Sequence, residues 1–258
     1  MAEYLFIMDL DLRKPTHLFA VFLIFLSLFM FVLVPIASFF GLFGTIDSSP
    51  ALLTQIPEGL KIIFEILTLL IQLTLVIFLF VIVPFAWYKL VNNYSLSEIF
   101  EAIRLKREKL DIAFVYGFVT AAITLGIVMI FGFLVTILGF DLSDASNIKD
   151  IEKIFSTPVT LVLITLQPIT EEIFYRGFLL EKIEKLSSPT VAVVITAVLF
   201  GLAHLSIGNV YPAFLTAVAG IILAILVIKT KNLTAAIIAH ILFNVSSFTL
   251  YTLGQSLI

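Results

Sequence analysis

Residues 18–43, LFAVFLIFLSLFMFVLVPIASFFGLF, hold no charged side chain, and their polar side chains are Ser27 and Ser38. A helix rising about 1.5 Å per residue needs about 20 apolar residues to cross a bilayer core of ~30 Å. The run therefore predicts a membrane-spanning helix. It is far longer than the roughly 7–15 apolar residues of a cleavable signal, so it reads as an uncleaved first span. Comparable runs lie near 60–88, 112–140, 155–180, 190–207, 209–228 and 233–256. The second is long enough to tilt or break, and 155–180 is a span only if its charges are tolerated inside it. Hydrophobic residues make up 61% of the 258-residue chain and charged residues 13%, and the mean hydropathy is +1.17. Soluble domains are roughly 45–50% apolar. The expected fold class is all-α, a polytopic transmembrane helix bundle of about seven spans with a range of about six to eight.

Lysines and arginines near span ends set orientation. Arg13 and Lys14 precede the first span, and the loop 44–59 has neither residue type. Lys89, Arg104, Lys106, Arg107 and Lys109 follow the second span, Lys182 and Lys185 the fourth, Lys229 and Lys231 the sixth. These alternate to one side, which predicts a multi-pass protein of the cell membrane with a cytoplasmic N-terminus. An external loop at 141–154 is the exception, because Lys149 and Lys153 accompany its four acids. Ser95-Leu-Ser-Glu98 has the capping-box pattern, and Leu96, Ile99, Phe100 and Ile103 follow at helical spacing. An interfacial helix is expected near 95–110. No internal repeat or flexible linker divides the chain. The expected organisation is N-terminal helices over 1–154 and a C-terminal core over 155–258.

The net charge of -3 gives no sign of a nucleic-acid partner, and the absence of Cys removes disulfides, thiol nucleophiles and cysteine-ligated metals. The polar residues that remain are few. Glu171, Glu172 and Arg176 stand in TEEIFYRG, residues 170–177, and a charge inside the membrane costs several kcal/mol, roughly 2.5–3.5 on insertion scales. His204, His240 and Asn244 lie in later runs. Helical rise brings Glu171, His204, His240 and Asn244 to a similar depth, roughly 18 Å from the cytoplasmic face. Glu172 and Arg176 are i,i+4, as are Phe200 and His204, and His240 and Asn244. Arg176 can neutralise Glu172, which leaves Glu171 the more available carboxylate. Such an acid can take a proton from water, while imidazole and carboxamide N–H groups can steady an oxyanion. Peptide hydrolysis without a covalent nucleophile requires this set.

With Glu171-Glu-x-x-x-Arg176, Phe200-x-x-x-His204 and His240-x-x-x-Asn244 in this order, the sequence resembles the CAAX prenyl protease type 2 and bacteriocin-processing family (CPBP, or Abi), which includes the Rce1-type proteases. The resemblance covers about 155–250. It implies an intramembrane glutamate endopeptidase in which Glu171 activates water, His204 assists, His240 and Asn244 stabilise the oxyanion, and Glu172 and Arg176 hold the site together. The implied partners are a peptide or lipidated-protein substrate and membrane lipids, with CAAX-type removal of a C-terminal tripeptide as one form of the reaction. No cofactor is expected. Zinc is the alternative, since two histidines and a glutamate can ligate it, though Asn is a poor zinc ligand.

His-Glu-x-x-His, Gly-x-Ser-x-Gly and Gly-x-Gly-Asp are all missing, so the site-2-type zinc, rhomboid-type and aspartyl intramembrane proteases drop out. An ion-coupled transporter would also place acids and histidines at mid-membrane, and a non-catalytic scaffold or immunity protein could keep the same fold. Glu172 with Arg176 reads equally as a structural ion pair, and His240 with Asn244 as interhelical glue. Phe174, Tyr175 and Phe200 read as packing, Glu65 as the partner of Lys61 four residues earlier, and His17 as an interfacial residue.

Overall fold

Apolar runs in this chain form helices because no other structure short of a closed barrel satisfies every backbone polar group in lipid. The computed structural model describes residues 9–42, 57–105, 110–139, 151, 154–205 and 209–256. The expected external loops, 44–59 and 141–154, fall almost wholly outside the described residues, as do Lys106, Arg107 and Lys109 of the basic segment.

Among the described residues, five helices are long and apolar enough to cross a membrane: α1 (Pro15–Phe39), α2 (Gly59–Leu90), α4 (Leu110–Ile137), α7 (Tyr211–Thr230) and α8 (Leu233–Gly254), α3 (Leu96–Ala102) being a short helix between the second and third of them. The remaining two expected spans differ. The run at 155–180 is helical without a break, as Thr157–Glu172, Ile173–Leu179 and Leu180–Leu186, here together α5. It carries too many charged residues to resemble its neighbours. The run at 190–207 gives α6 (Pro189–Leu202), which stops short of His204 and at 14 residues is too short to span alone. The bundle is thus all-helical among the described residues, with five evident spans and two further helices, α5 and α6, each buried on one part and exposing apolar side chains such as Leu161 and Val194 on another.

Packing shields the charged half of α5. Nearly every residue from Thr170 to Lys182 is buried, including Glu171, Glu172, Arg176, Glu181 and Lys182. Phe80 of α2 stacks on Phe174 with ring centroids 4.8 Å apart, and Trp87 meets Phe178 edge-on at 5.9 Å. α4 lies on α8 through small residues: a Cβ added to Gly117 would stand 2.7 Å from Ile238 Cγ2, and Ala113 and Ala121, one turn to either side, are buried. Small residues on one helical stripe let membrane helices approach closely.

α3 has the expected capping box, with Glu98 N donating to Ser95 Oγ and Ser95 N to Glu98 Oε2. It ends at Ala102 rather than near 110, because Arg104 turns into the left-handed region at φ 60°. Ile99 and Ile103 are buried in the bundle core, while Leu96 and Phe100 are exposed, so its apolar face rests on protein only in part.

A repeat exists where none was expected. FMFVLVPIA (29–37) and FLFVIVPFA (78–86) agree at six of nine positions, and each begins with a π-helical turn, Phe29–Leu33 and Phe78–Ile82. The cause is the proline that closes each copy, Pro35 and Pro84. Proline has no N–H and its ring clashes with the carbonyl a turn earlier, and a widened turn relieves both faults. The middle phenylalanines, Phe31 and Phe80, meet with centroids 4.2 Å apart.

Two residues expected to be bland are engaged. Glu65 accepts from Ser156 N and Oγ at 3.0 and 2.6 Å and so caps the start of α5. His17 is buried rather than interfacial, and its Nδ1 accepts from Asp11 N at 3.0 Å.

Candidate active site

α5 carries the acids at its widened turn. Pro168 stands inside the helix, and the π-helical piece Ile173–Leu179 begins directly after Glu172, a geometry that recurs at functional sites. Glu172 Oε1 accepts from Arg176 Nη1 at 2.6 Å and from His240 Nδ1 at 2.9 Å. Both Glu172 and Arg176 are fully buried. The guanidinium lies over Phe200 of α6, 4.1 Å from the ring centroid, and Phe200 touches both His204 and His240 with its ring edge, at 4.8 and 5.7 Å. Room for the arginine comes from α7, where a Cβ on Gly220 would sit 3.2 Å from Arg176 Nη2 and 3.2 Å from Ala197 Cα.

Glu171 faces the other way, into a cavity of about 660 Å³. The same cavity is lined by His204, His240 and Asn244, so the four residues expected to act together do share one chamber. Glu171 Oε2 lies 3.8 Å from His240 Nε2, and Glu171 Oε1 accepts from Gln167 Nε2 at 2.7 Å. The helical assumption failed for His204, which lies just beyond the end of α6 and is tethered by Nδ1 to Phe200 O at 2.8 Å. A carbonyl can only accept, so Nδ1 carries the proton and Nε2 of the neutral ring keeps its lone pair. The ionised Glu172 imposes the same tautomer on His240.

Three further cavity residues were not singled out as functional by their sequence. Gln167 is i,i+4 to Glu171, a spacing that could have flagged it. Gln72, in α2, is a carboxamide in an apolar span, which is a signal in itself, although its partner is invisible in the sequence. Tyr175 packs among Phe80, Phe174 and Phe200 as expected, yet its buried hydroxyl has no partner among the described residues. The cavity wall also includes Phe31 and Phe80 of the repeat and Thr124 of α4; the N-terminal helices therefore help enclose the chamber. For zinc the fit is poor: among the described residues no three His, Cys, Asp or Glu side chains gather as a ligand set.

No curated protein and no solved structure matches the chain. Residues 153–246, which hold Glu171, Glu172, Arg176, His204, His240 and Asn244, match the model of the family described as Type II CAAX prenyl endopeptidase Rce1-like, the type of family that the three motifs resemble.

Proposed function

We propose that the protein is an intramembrane endopeptidase that hydrolyses a peptide bond with water activated by Glu171. The family match carries CAAX-type membrane proteolysis in general. The observation that supports the specific reading is the meeting of Glu171, His204, His240 and Asn244 at one cavity, with the neighbouring acid Glu172 already committed to Arg176 and His240.

In this mechanism Glu171 takes a proton from water as the water oxygen attacks the scissile carbonyl, and later passes it to the departing amine. His204, with its Nε2 lone pair available, helps to hold the attacking water. The Asn244 amide carries N–H donors in every protonation state and suits the developing oxyanion. His240 gives its Nδ1–H to Glu172 and turns Nε2 toward Glu171, so its contribution is to help orient the attacking water beside that acid. No metal takes part in this scheme. The apolar wall suits a substrate with a lipid-like or apolar segment, and a prenylated C-terminus is the substrate to try first. The protein would sit in the cell membrane with its N-terminus in the cytoplasm. Because the chain has no Cys, a single cysteine replacing Lys14 would report that side by labelling with an impermeant maleimide.

The test is cleavage of a fluorogenic farnesylated CAAX peptide by purified protein in detergent, comparing the native chain, Glu171→Ala and native protein with chelator. Turnover by the native chain with or without chelator, and none by a folded Glu171→Ala, is expected. Full activity in Glu171→Ala would sink the mechanism, and loss with chelator would replace it with a metalloenzyme.

A further inference from the structure

Glu171 has two oxygens, and the structure treats them differently. Oε1 is held by Gln167 Nε2 at 2.7 Å, while Oε2 is the oxygen turned to His240 Nε2, at 3.8 Å. Gln167 is held in turn, because its Oε1 accepts from Gln72 Nε2 of α2 at 3.1 Å. A carboxamide offers an acceptor at one end and donors at the other. With Gln72 donating to its oxygen, Gln167 must present its nitrogen to the acid; turned over, it would set oxygen against carboxylate and NH2 against NH2. A helix of the N-terminal half thus fixes which face of Gln167 meets the acid of α5.

We propose that Gln72 and Gln167 are positioning residues for Glu171: the chain of two amides occupies Oε1 and reserves Oε2 as the atom that receives the proton from water. This rests on the reading of Glu171 as the base. It differs from plain interhelical bonding between α2 and α5, which would stabilise the bundle without regard to catalysis.

The experiment is a double-mutant cycle with Gln72→Met and Gln167→Met, Met having similar length and no donor. For peptide cleavage, Gln167→Met should lower kcat about tenfold, the scale of one hydrogen bond to a charged group, with KM little changed. Gln72→Met should lower kcat less, and the double variant should match Gln167→Met alone, since Gln72 acts through Gln167. Additive losses, or a fall in melting temperature with kcat intact, would overturn the proposal.

A second measurement does not depend on proteolysis: the rate, followed by mass spectrometry, at which Glu171 is labelled by a hydrophobic carbodiimide, which takes the proton of a protonated carboxyl and is then attacked by the carboxyl oxygen. Labelling should rise several-fold in Gln167→Met, rise in the same direction in Gln72→Met, and go no higher in the double variant. Unchanged labelling overturns the two-amide chain even if the native protein cleaves nothing. Altered labelling without Glu171-dependent cleavage would instead leave the chain standing and remove the protease reading.

Discussion

Arg176 shows most directly what the site costs. It is fully buried, bonds Glu172 through Nη1, and leaves Nε and Nη2 without partners among the described residues. Replacing it with Met would strand the Glu172 carboxylate in a low-dielectric interior, a change worth about 3–5 kcal/mol when one member of a buried pair is removed. The expected outcome is a large drop in the melting temperature of Arg176→Met in detergent, and a loss of activity that Arg176→Lys fails to restore, since an ammonium neither stacks on Phe200 as the planar group does nor reaches Glu172 in the same geometry. A native-like melting temperature for Arg176→Met would contradict this. The motif residues were legible in the sequence because charge in an apolar run is rare and i,i+4 spacing is diagnostic of one helical face. The division of labour between the acids was legible too, in that Arg176 neutralises Glu172. The bond from Glu172 to His240 was not, because it joins residues 68 positions apart on different helices. Gln72 stayed hidden for the same reason.

At the scale of elements, α7 comes close to both α5 and α6 at Gly220. A methyl group there would press on the Ala197 backbone and on the Arg176 guanidinium together. The arginine has little freedom to withdraw between Phe200 and Glu172. Gly220→Ala should therefore destabilise by about 1–3 kcal/mol, as overpacking does, and lower peptide cleavage, whereas Ala219→Gly next to it should leave the stacking geometry unchanged. Thermal melting with a parallel activity assay checks both; a Gly220→Ala protein as stable and active as the native one would refute the tight fit. Long uncharged runs made α1, α2, α4, α7 and α8 readable in advance, since length against bilayer thickness is a one-dimensional property. The fate of α5 and α6 was not readable that way. Whether a charged helix stands in lipid or inside protein depends on what surrounds it, and here α2 and its neighbours supply the aromatic cover. The repeat in α1 and α2 was visible in the letters, but its meaning rests on the π-turn that each proline imposes.

Considered as a whole, the bundle is fastened at one end by charges from segments far apart in sequence. Glu184 of α5 pairs with Arg104, just past α3, and with Lys231 at the turn between α7 and α8, the latter at 3.0 Å. The backbone repeats the connection, with Leu233 N donating to Arg104 O at 2.8 Å. Lys185 and Lys182 are close by on Glu181, so Arg104, Lys182, Lys185 and Lys231, four of the basic residues expected to share one side, meet acids of the same stretch of α5. Burial by itself pushes the Glu184 carboxyl up, but the hydrogen bonds and charges of Arg104 and Lys231 outweigh it and hold the group below its ordinary value of 4.5. A carboxyl lowered in the folded state releases its proton more readily there than in the unfolded chain. Its contribution to stability is therefore fully present above the ordinary value and disappears as pH falls through the lower, folded one. Native protein should melt higher than Glu184→Gln near neutral pH, and the gap should close on acidification from about pH 5 to about pH 3. Salt should narrow it as well, because both cations reach partly exposed positions. Melting curves of the two proteins across that range decide the matter: a gap that stays constant with pH would mean that Glu184 contributes packing rather than charge, and that the fastening at this end is carried by the backbone bond from Leu233 to Arg104.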